Sequence, residues 1–527
     1  MLVTACTHAP APVARSGPAG AKAEAPAAPT SPSPASSPGA PVSARLAGDA
    51  LRADVLVLRR AYEGLHPGLY RYSTRAEMDA AFDALDAELA GGATLAEAYR
   101  ALAIFAAKVR CGHTFLNPTN QKKAVQEELF DRPPRLPFHF RWLDGRMVVT
   151  EALARDLPLV PGTEVVAIDG TASSAILARL LTVSRADGGN DAKRVANLER
   201  LGHDRYEGFD VAFSLFFPKT DDTFALDVVD PDGTRRSLVA RGVRGAAAGR
   251  GDTGLAREAA KDAPLWSLRY LDARTAYLAM PTWVTYATRW DWKEDLRRGF
   301  ADLAAKRATA LVVDLRGNEG GEDVGNVILG HLLDRPLRVD ALARWTRYRR
   351  VPDDLRASLH TWDASFFDWG DAAIPRGDGF YRLTRFDDDP GGDVLAPIAP
   401  RARLKLVVIV DGSNSSATFQ FDAIVQRQRL GRLVGEPTGG NQRGINGGAF
   451  FFLELPASAL ELDLPLIARF PADGRTDALP DAGLVPDVVA RPTAKDIAAG
   501  RDVALEAARR VAAEQELGVR APGSRLR

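Results

Sequence analysis

The stretch from Leu404 to Asn441, LKLVVIVDGSNSSATFQFDAIVQRQRLGRLVGEPTGGN, decides the fold. Its opening run, Leu404 to Val410, is continuous, apolar and rich in β-branched residues, the pattern of a strand buried on both faces of a parallel sheet. Asp411, Gly412, Ser413, Asn414 and Ser415 then supply turn and cap residue types, and Ala417, Phe421, Ile424 and Val425 recur at helical spacing. Serines therefore stand where a buried strand breaks into a helix. The first amide N–H groups of a helix lack intrahelical partners and can face negative charge developing on a substrate oxygen, so the position suits a nucleophile. Ser, Asn and Asp are equally the preferred helix caps, and the residues alone leave capping and catalysis open.

Working upstream, Ala276 to Met280 reads as a short apolar strand, Trp292 to Ala305 as an amphipathic helix and Ala310 to Asp314 as a second strand, which runs into Asp314-Leu315-Arg316-Gly317-Asn318-Glu319-Gly320-Gly321. Strands alternating with helices predict a layered α/β sheet, whose sites lie beyond the carboxyl ends of its strands. A phosphate-binding loop is the rival for this glycine turn, but no Lys-Ser/Thr follows the glycines. A tight structural turn with Arg316 paired locally is the other reading.

The order strand, small-residue turn, Ser-Ala, helix and Leu433-Val434-Gly435-Glu436-Pro437-Thr438-Gly439-Gly440 resembles the nucleophile region of the C-terminal processing (tail-specific) and tricorn-type serine peptidases. Asp-x-Arg-x-Asn-x-Gly-Gly at 314–321 resembles that family's second marker. The resemblance implies a crotonase-like catalytic core, a serine endopeptidase with no cofactor and no metal, and a peptide or protein substrate. It makes Ser416, directly before Ala417, the nucleophile, and it lets Gly320 or Gly321 share an oxyanion hole with the Ala417 amide. The processing branch carries a lysine base where this chain has Asn441, so a Ser-Lys dyad is excluded and the tricorn-like branch, with an upstream histidine, is the better match. Gly112-His113-Thr114 occupies that upstream place, which makes His113 the general base; an unperturbed histidine would bring activity up near pH ~6.5. Pro480-Asp481-Ala482-Gly483-Leu484-Val485-Pro486-Asp487 resembles the segment that supplies the orienting acid, but Pro480 stands at the acid's own position. Asp481, one place later, is the nearest carboxylate, with Asp477 as an alternative. A relative that keeps the fold but binds peptides or hydrophobic ligands without catalysis is the competing function.

Around this core, residues 44–130 read as helical, with breaks at His66-Pro67-Gly68 and Gly91-Gly92 and with Thr94 placed to cap a third helix. Residues 131–245 read as a β module, and Val160-Pro161-Gly162-Thr163-Glu164 followed by Val165 to Gly170 resembles the family's PDZ-like modules, which take an extended peptide as an added strand. Residues 262–495 form the α/β core, with an irregular aromatic-rich insertion at 340–400 expected to be a lid over Ser416 or a filler of a domain interface, and residues 496–527 a closing helix and tail.

The chain has 527 residues, 46% hydrophobic and 26% charged, with 68 basic and 68 acidic side chains, which suits several globular cores and gives no electrostatic call for nucleic acid. No apolar run reaches the ~18 residues of a membrane-spanning helix. Val3-Thr4-Ala5-Cys6 resembles a lipobox and precedes a Pro/Ala-rich run through residue 43, so a disordered leader carrying a lipid anchor at Cys6 and a periplasmic location are expected. Neither a zinc-protease His-Glu-x-x-His nor an esterase Gly-x-Ser-x-Gly occurs.

Overall fold

A computed structural model describes residues 45–244, 263–286, 288–339, 342–386, 394–471 and 478–514; the lipobox-like start, the linker after Arg244 and Asp477 lie outside them. The run Lys405–Val410 is the middle of a six-stranded sheet, in the order Val488–Val489, Gly431–Gly435, Lys405–Val410, Ala310–Asp314, Thr275–Ala279, Ser267–Tyr270. All neighbours pair in parallel except the antiparallel edge strand Ser267–Tyr270. Leu406, Val408 and Val410 face one layer with Leu296, Phe300 and Ile328, while Val407 and Ile409 face the other with Ala504, Ala508 and Val511. The period-two split of one apolar run between two helical layers is what makes the strand read as continuous apolar sequence. The α/β expectation holds, and the serine turn, the glycine turn and the loop after Gly435 emerge from the carboxyl ends of three adjacent strands.

A second, antiparallel sheet centres on Ile445–Glu454 and Glu461–Pro471. It buries Phe451, Leu453, Leu462 and Leu464 in one cluster with Leu58, Tyr62 and Phe105 of the N-terminal helices Gly48–Leu65, Arg75–Leu89 and Leu95–Lys108. Thr94 closes a capping box with Glu97, as its sequence position predicts. The described aromatics of the insertion pack as an interface: Tyr348, Phe366 and Trp369 are buried in that same cluster and Trp345 stacks on Phe470 at 5.4 Å. Aromatics of this size gain more from dry packing against a sheet than from covering a wet cleft, so interface filling wins. Residues 138–241 form a separate antiparallel sheet, backed by the helices Ser173–Leu180 and Gly208–Phe216 around Phe140, Phe209 and Phe224. Among the described residues no helix is long and apolar enough to cross a membrane.

Candidate active site

Ser416 is the first residue of the helix Ser416–Arg427 and has φ +54°, a left-handed conformation that costs a non-glycine residue about 1–3 kcal/mol. The surroundings hold it there. Asn414, fully buried, donates to the carbonyls of Leu315 at 2.5 Å and Asn318 at 3.1 Å and accepts from the Asp411 amide at 2.8 Å. The Gly439 amide bonds the Asn414 carbonyl at 2.8 Å, and Ser415 Oγ donates to the Glu319 carbonyl at 3.2 Å. The turn from the middle strand is thus bolted to both neighbouring loops, and Ser415, not Ser416, takes the cap position.

The glycine turn lies against it. A Cβ placed on Gly320 would stand 2.9 Å from Ser416 Cβ and 3.0 Å from the Ala417 amide nitrogen, so only glycine allows this approach. Gly320 gives its own N–H to Asn318 Oδ1 at 2.9 Å, which removes it as an oxyanion donor; the Gly321 amide forms no hydrogen bond among the described residues. Asn318 also accepts from Thr418 Oγ1 at 2.9 Å and donates to the Met280 carbonyl at 2.7 Å. Arg316 pairs with Asp314 and reaches Asp502 at 2.9 Å, so the local pairing read from the sequence and the approach to Ser416 coexist in one turn.

His113 follows the end of the third helix, next to Gly447 and 5.8 Å from the Phe450 ring. Its Nδ1 is buried and without a partner, and no hydrogen bond joins the imidazole to Ser416 or Asp481. Burial, reinforced by the Arg185 and Lys193 cations and only partly offset by Glu319, lowers its pKa to about 4. The competing histidines have other partners. His66 accepts the Gly68 amide at Nδ1 and meets Thr114 Oγ1 through Nε2 at 2.7 Å, His139 lies 3.4 Å from Glu151, and His331 lies 2.7 Å from the Pro400 carbonyl.

Asp481 binds away from His113. Its Oδ1 accepts from Asn441 Nδ2 at 2.7 Å and from the Gly189 amide at 3.0 Å, and Asn441 Nδ2 also reaches the Asp187 carbonyl at 2.9 Å. The carboxylate whose field reaches His113 is Glu319, which sequence reasoning passed over. Glu319 accepts from the buried Lys193 Nζ at 2.8 Å, and the same ammonium bonds the Ser413 carbonyl at 3.0 Å. Burial opposes the charge on Glu319, but Lys193 and Arg185 outweigh it and hold the carboxyl at about 2; its side chain is half exposed, so solvent screens part of this field. Burial lowers the pKa of Lys193, and the charge and hydrogen bond of Glu319 oppose that fall.

The segment 185–193 was missed altogether. Arg185 bonds the Gly112 carbonyl at 2.8 Å, Asp187 accepts the Gly112 amide at 3.0 Å, and Asn190 holds the carbonyls of Thr438 and Gly440 at 2.9 and 2.5 Å. One strip of chain thus touches the histidine loop, the serine turn, the glycine turn and the loop after Gly435. Its only sequence signal is Asp187-Gly188-Gly189-Asn190, a turn and helix cap, which names no partner.

Comparison with known proteins bears on this arrangement. The family model for peptidase family S41 matches residues 274–489, a span that holds the serine turn, the glycine turn and Asp481 and leaves His113 upstream. The fold is similar to that of mature CPAF complexed with lactacystin, at a TM-score of 0.59 and 14% identity, over 88% of this chain and 97% of that one. A CPAF serine-to-alanine mutant matches at a TM-score of 0.59 and 14% identity, over 86% of this chain and 94% of that one. No curated protein sequence matches the chain. Its α/β core, with the serine and glycine turns at the carboxyl ends of adjacent strands, is therefore a peptidase family S41 domain spanning residues 274–489.

Proposed function

We propose that this protein is a serine endopeptidase in which Ser416 attacks the peptide carbonyl and His113 takes the proton and returns it to the leaving amine. The observation that carries the reading is the left-handed Ser416 at the head of its helix, pressed against Gly320 and the Ala417 amide. That conformation is costly and is held by the hydrogen bonds of Asn414 and Ser415 to the neighbouring loops, on the order of 1 kcal/mol each, which capping alone does not need. The Ala417 and Gly321 amides are the oxyanion donors in this reading. Glu319, anchored by Lys193, is the carboxylate that stabilises the imidazolium through space, and Asp481 serves as a brace for the Asn441 loop. The hydrogen bond between Ser416 and His113 forms when substrate closes the gap, since catalytic bonds are often long in unliganded enzymes. The PDZ-like reading of residues 131–245 and lipid anchoring at Cys6 belong to the same proposal, supported by the Pro161-Gly162 turn and by Val3-Thr4-Ala5-Cys6.

Hydrolysis of an unstructured protein tests the reading. Ser416→Ala and His113→Ala should each lower kcat/KM by at least a hundredfold while the fold is retained. A Ser416→Ala protein that cuts as fast as wild type would overturn it and favour the binding-protein alternative.

A further inference from the structure

A cavity of about 220 Å³ opens where the proposed catalytic loops meet. Ser413, three residues before Ser416, lines it; so do Glu319, directly before Gly320, and Thr114 and Phe115, directly after His113. Its deeper wall is apolar and made largely of small residues. Ala103 and Ala107 stand one turn apart on the helix Leu95–Lys108, and Val211, Ala212 and Leu215 face them from the helix Gly208–Phe216.

The buried charged and phenolic groups on the wall are already committed to the protein, and His203 and Asp204 stand at its exposed edge. Arg185 bonds the Gly112 carbonyl and lies 3.8 Å over the Phe115 ring. Glu199 accepts from Arg141 and from the Trp142 amide, both at 3.1 Å. Glu207 Oε1 takes the amides of Leu201, Gly202 and His203 within 3.2 Å. The hydroxyl of Tyr99 donates to the Leu116 carbonyl at 2.7 Å and that of Tyr206 to Asp131 at 3.0 Å. A charged ligand group entering here would lose water without gaining a counter-ion, a cost of several kcal/mol. An apolar group would gain roughly 25 cal/mol for each Å² it buries. The cavity is smaller than the roughly 300–1,000 Å³ of a site for a free small molecule, so it suits one side chain of a longer ligand.

We infer that this cavity is the specificity subsite of the peptidase, taking one large apolar side chain, such as Leu, Met or Phe, from a substrate residue close to the scissile bond. The inference rests on the peptidase reading and deepens it by naming the substrate class. The α-helical alanines set the depth: Ala103 and Ala107 leave the space that the side chain occupies, and Leu215 closes it from the opposite side.

The test uses one peptide scaffold in which each position near the cut is varied among Gly, Asp, Leu and Phe. At one position the full-length protein should cut the Leu and Phe peptides at least tenfold faster than the Gly and Asp peptides. Ala107→Phe and Ala103→Phe, which fill the cavity, should each reduce that ratio at least fivefold while a fluorophosphonate probe still labels Ser416. Leu215→Ala, which widens the cavity and needs no overpacking, should shift preference toward Trp. A ratio unchanged in all three folded variants would overturn the subsite, as would a wild type that cuts all peptides equally. Tight binding of a free fatty acid that is displaced by Ala107→Phe, with peptide preference untouched, would also overturn it. A wild type that neither cuts nor takes the probe would sink the peptidase reading itself, and the subsite with it.

Discussion

At the scale of single residues, His113 is where structure and sequence part most clearly. Gly112-His113-Thr114 suggests an ordinary imidazole and activity rising near pH ~6.5, but burial beside Arg185 and Lys193 puts the pKa at about 4. kcat/KM should therefore be level from about pH 5.5 to 8 and fall through about pH 4. Lys193→Met removes a nearby cation and frees Glu319, so the midpoint should climb toward neutrality; a midpoint that stays put would separate Lys193 from the base. Asp422 offers a second residue-scale check. Both of its carboxyl oxygens are buried without partners in the serine helix, and burial raises its pKa well above the usual carboxylate range. The folded chain keeps a proton that the unfolded chain releases near pH ~4, so Asp422 makes stability fall as pH rises above that value. Asp422→Asn should raise Tm at pH 7.5, with the gain shrinking toward pH 4. A gain equal at every pH would mean that the carboxyl's ionisation is not the cause.

At the scale of elements, the serine turn was legible because its residues carry local signals: a β-branched run, a cluster of turn formers, then helical spacing. The strand Ala310–Asp314 and the helix Trp292–Ala305 fall where their patterns place them. What the pattern does not encode is how the turn is held. Asn414 reads as one more turn residue, yet it is the bolt between two loops about a hundred residues apart in sequence. Asn414→Ala leaves the Asn318 carbonyl and the Asp411 amide unpaired in the interior and takes one of two donors from the Leu315 carbonyl, and it should cost about 2–4 kcal/mol in chemical denaturation. It should also slow probe labelling of Ser416, because the left-handed conformation loses its support. A variant as stable as wild type would show that the turn is held by other means. The aromatic insertion stays ambiguous in the sequence for a related reason. Trp, Phe and Asp in irregular order fit a lid and an interface equally well, and only the second sheet, supplied by distant strands, decides between them.

At the scale of the molecule, the site is assembled from parts that no local reading joins. The strip 185–193 leaves the β module and threads the histidine loop, the serine turn and the Asn441 loop together through side chains of unremarkable type. Asn441 is the clearest case, since it stands where relatives of the processing branch carry a lysine and here bridges Asp187 and Asp481. Asn441→Lys would bury an ammonium between the Asp481 carboxylate and the Asp187 backbone carbonyl, which keep it protonated and unable to serve as a base. The substitution should lower kcat/KM; a gain in activity with a midpoint well above neutral pH would reveal a latent Ser-Lys mechanism. The central claim is that a strained serine at the end of the middle strand is the nucleophile. Its most direct measurement is labelling with a fluorophosphonate, followed by peptide mapping. The account predicts one phosphonate per chain, on Ser416, lost in folded Ser416→Ala. Label on Ser413 or Ser415, or a folded wild type that takes none, would contradict it.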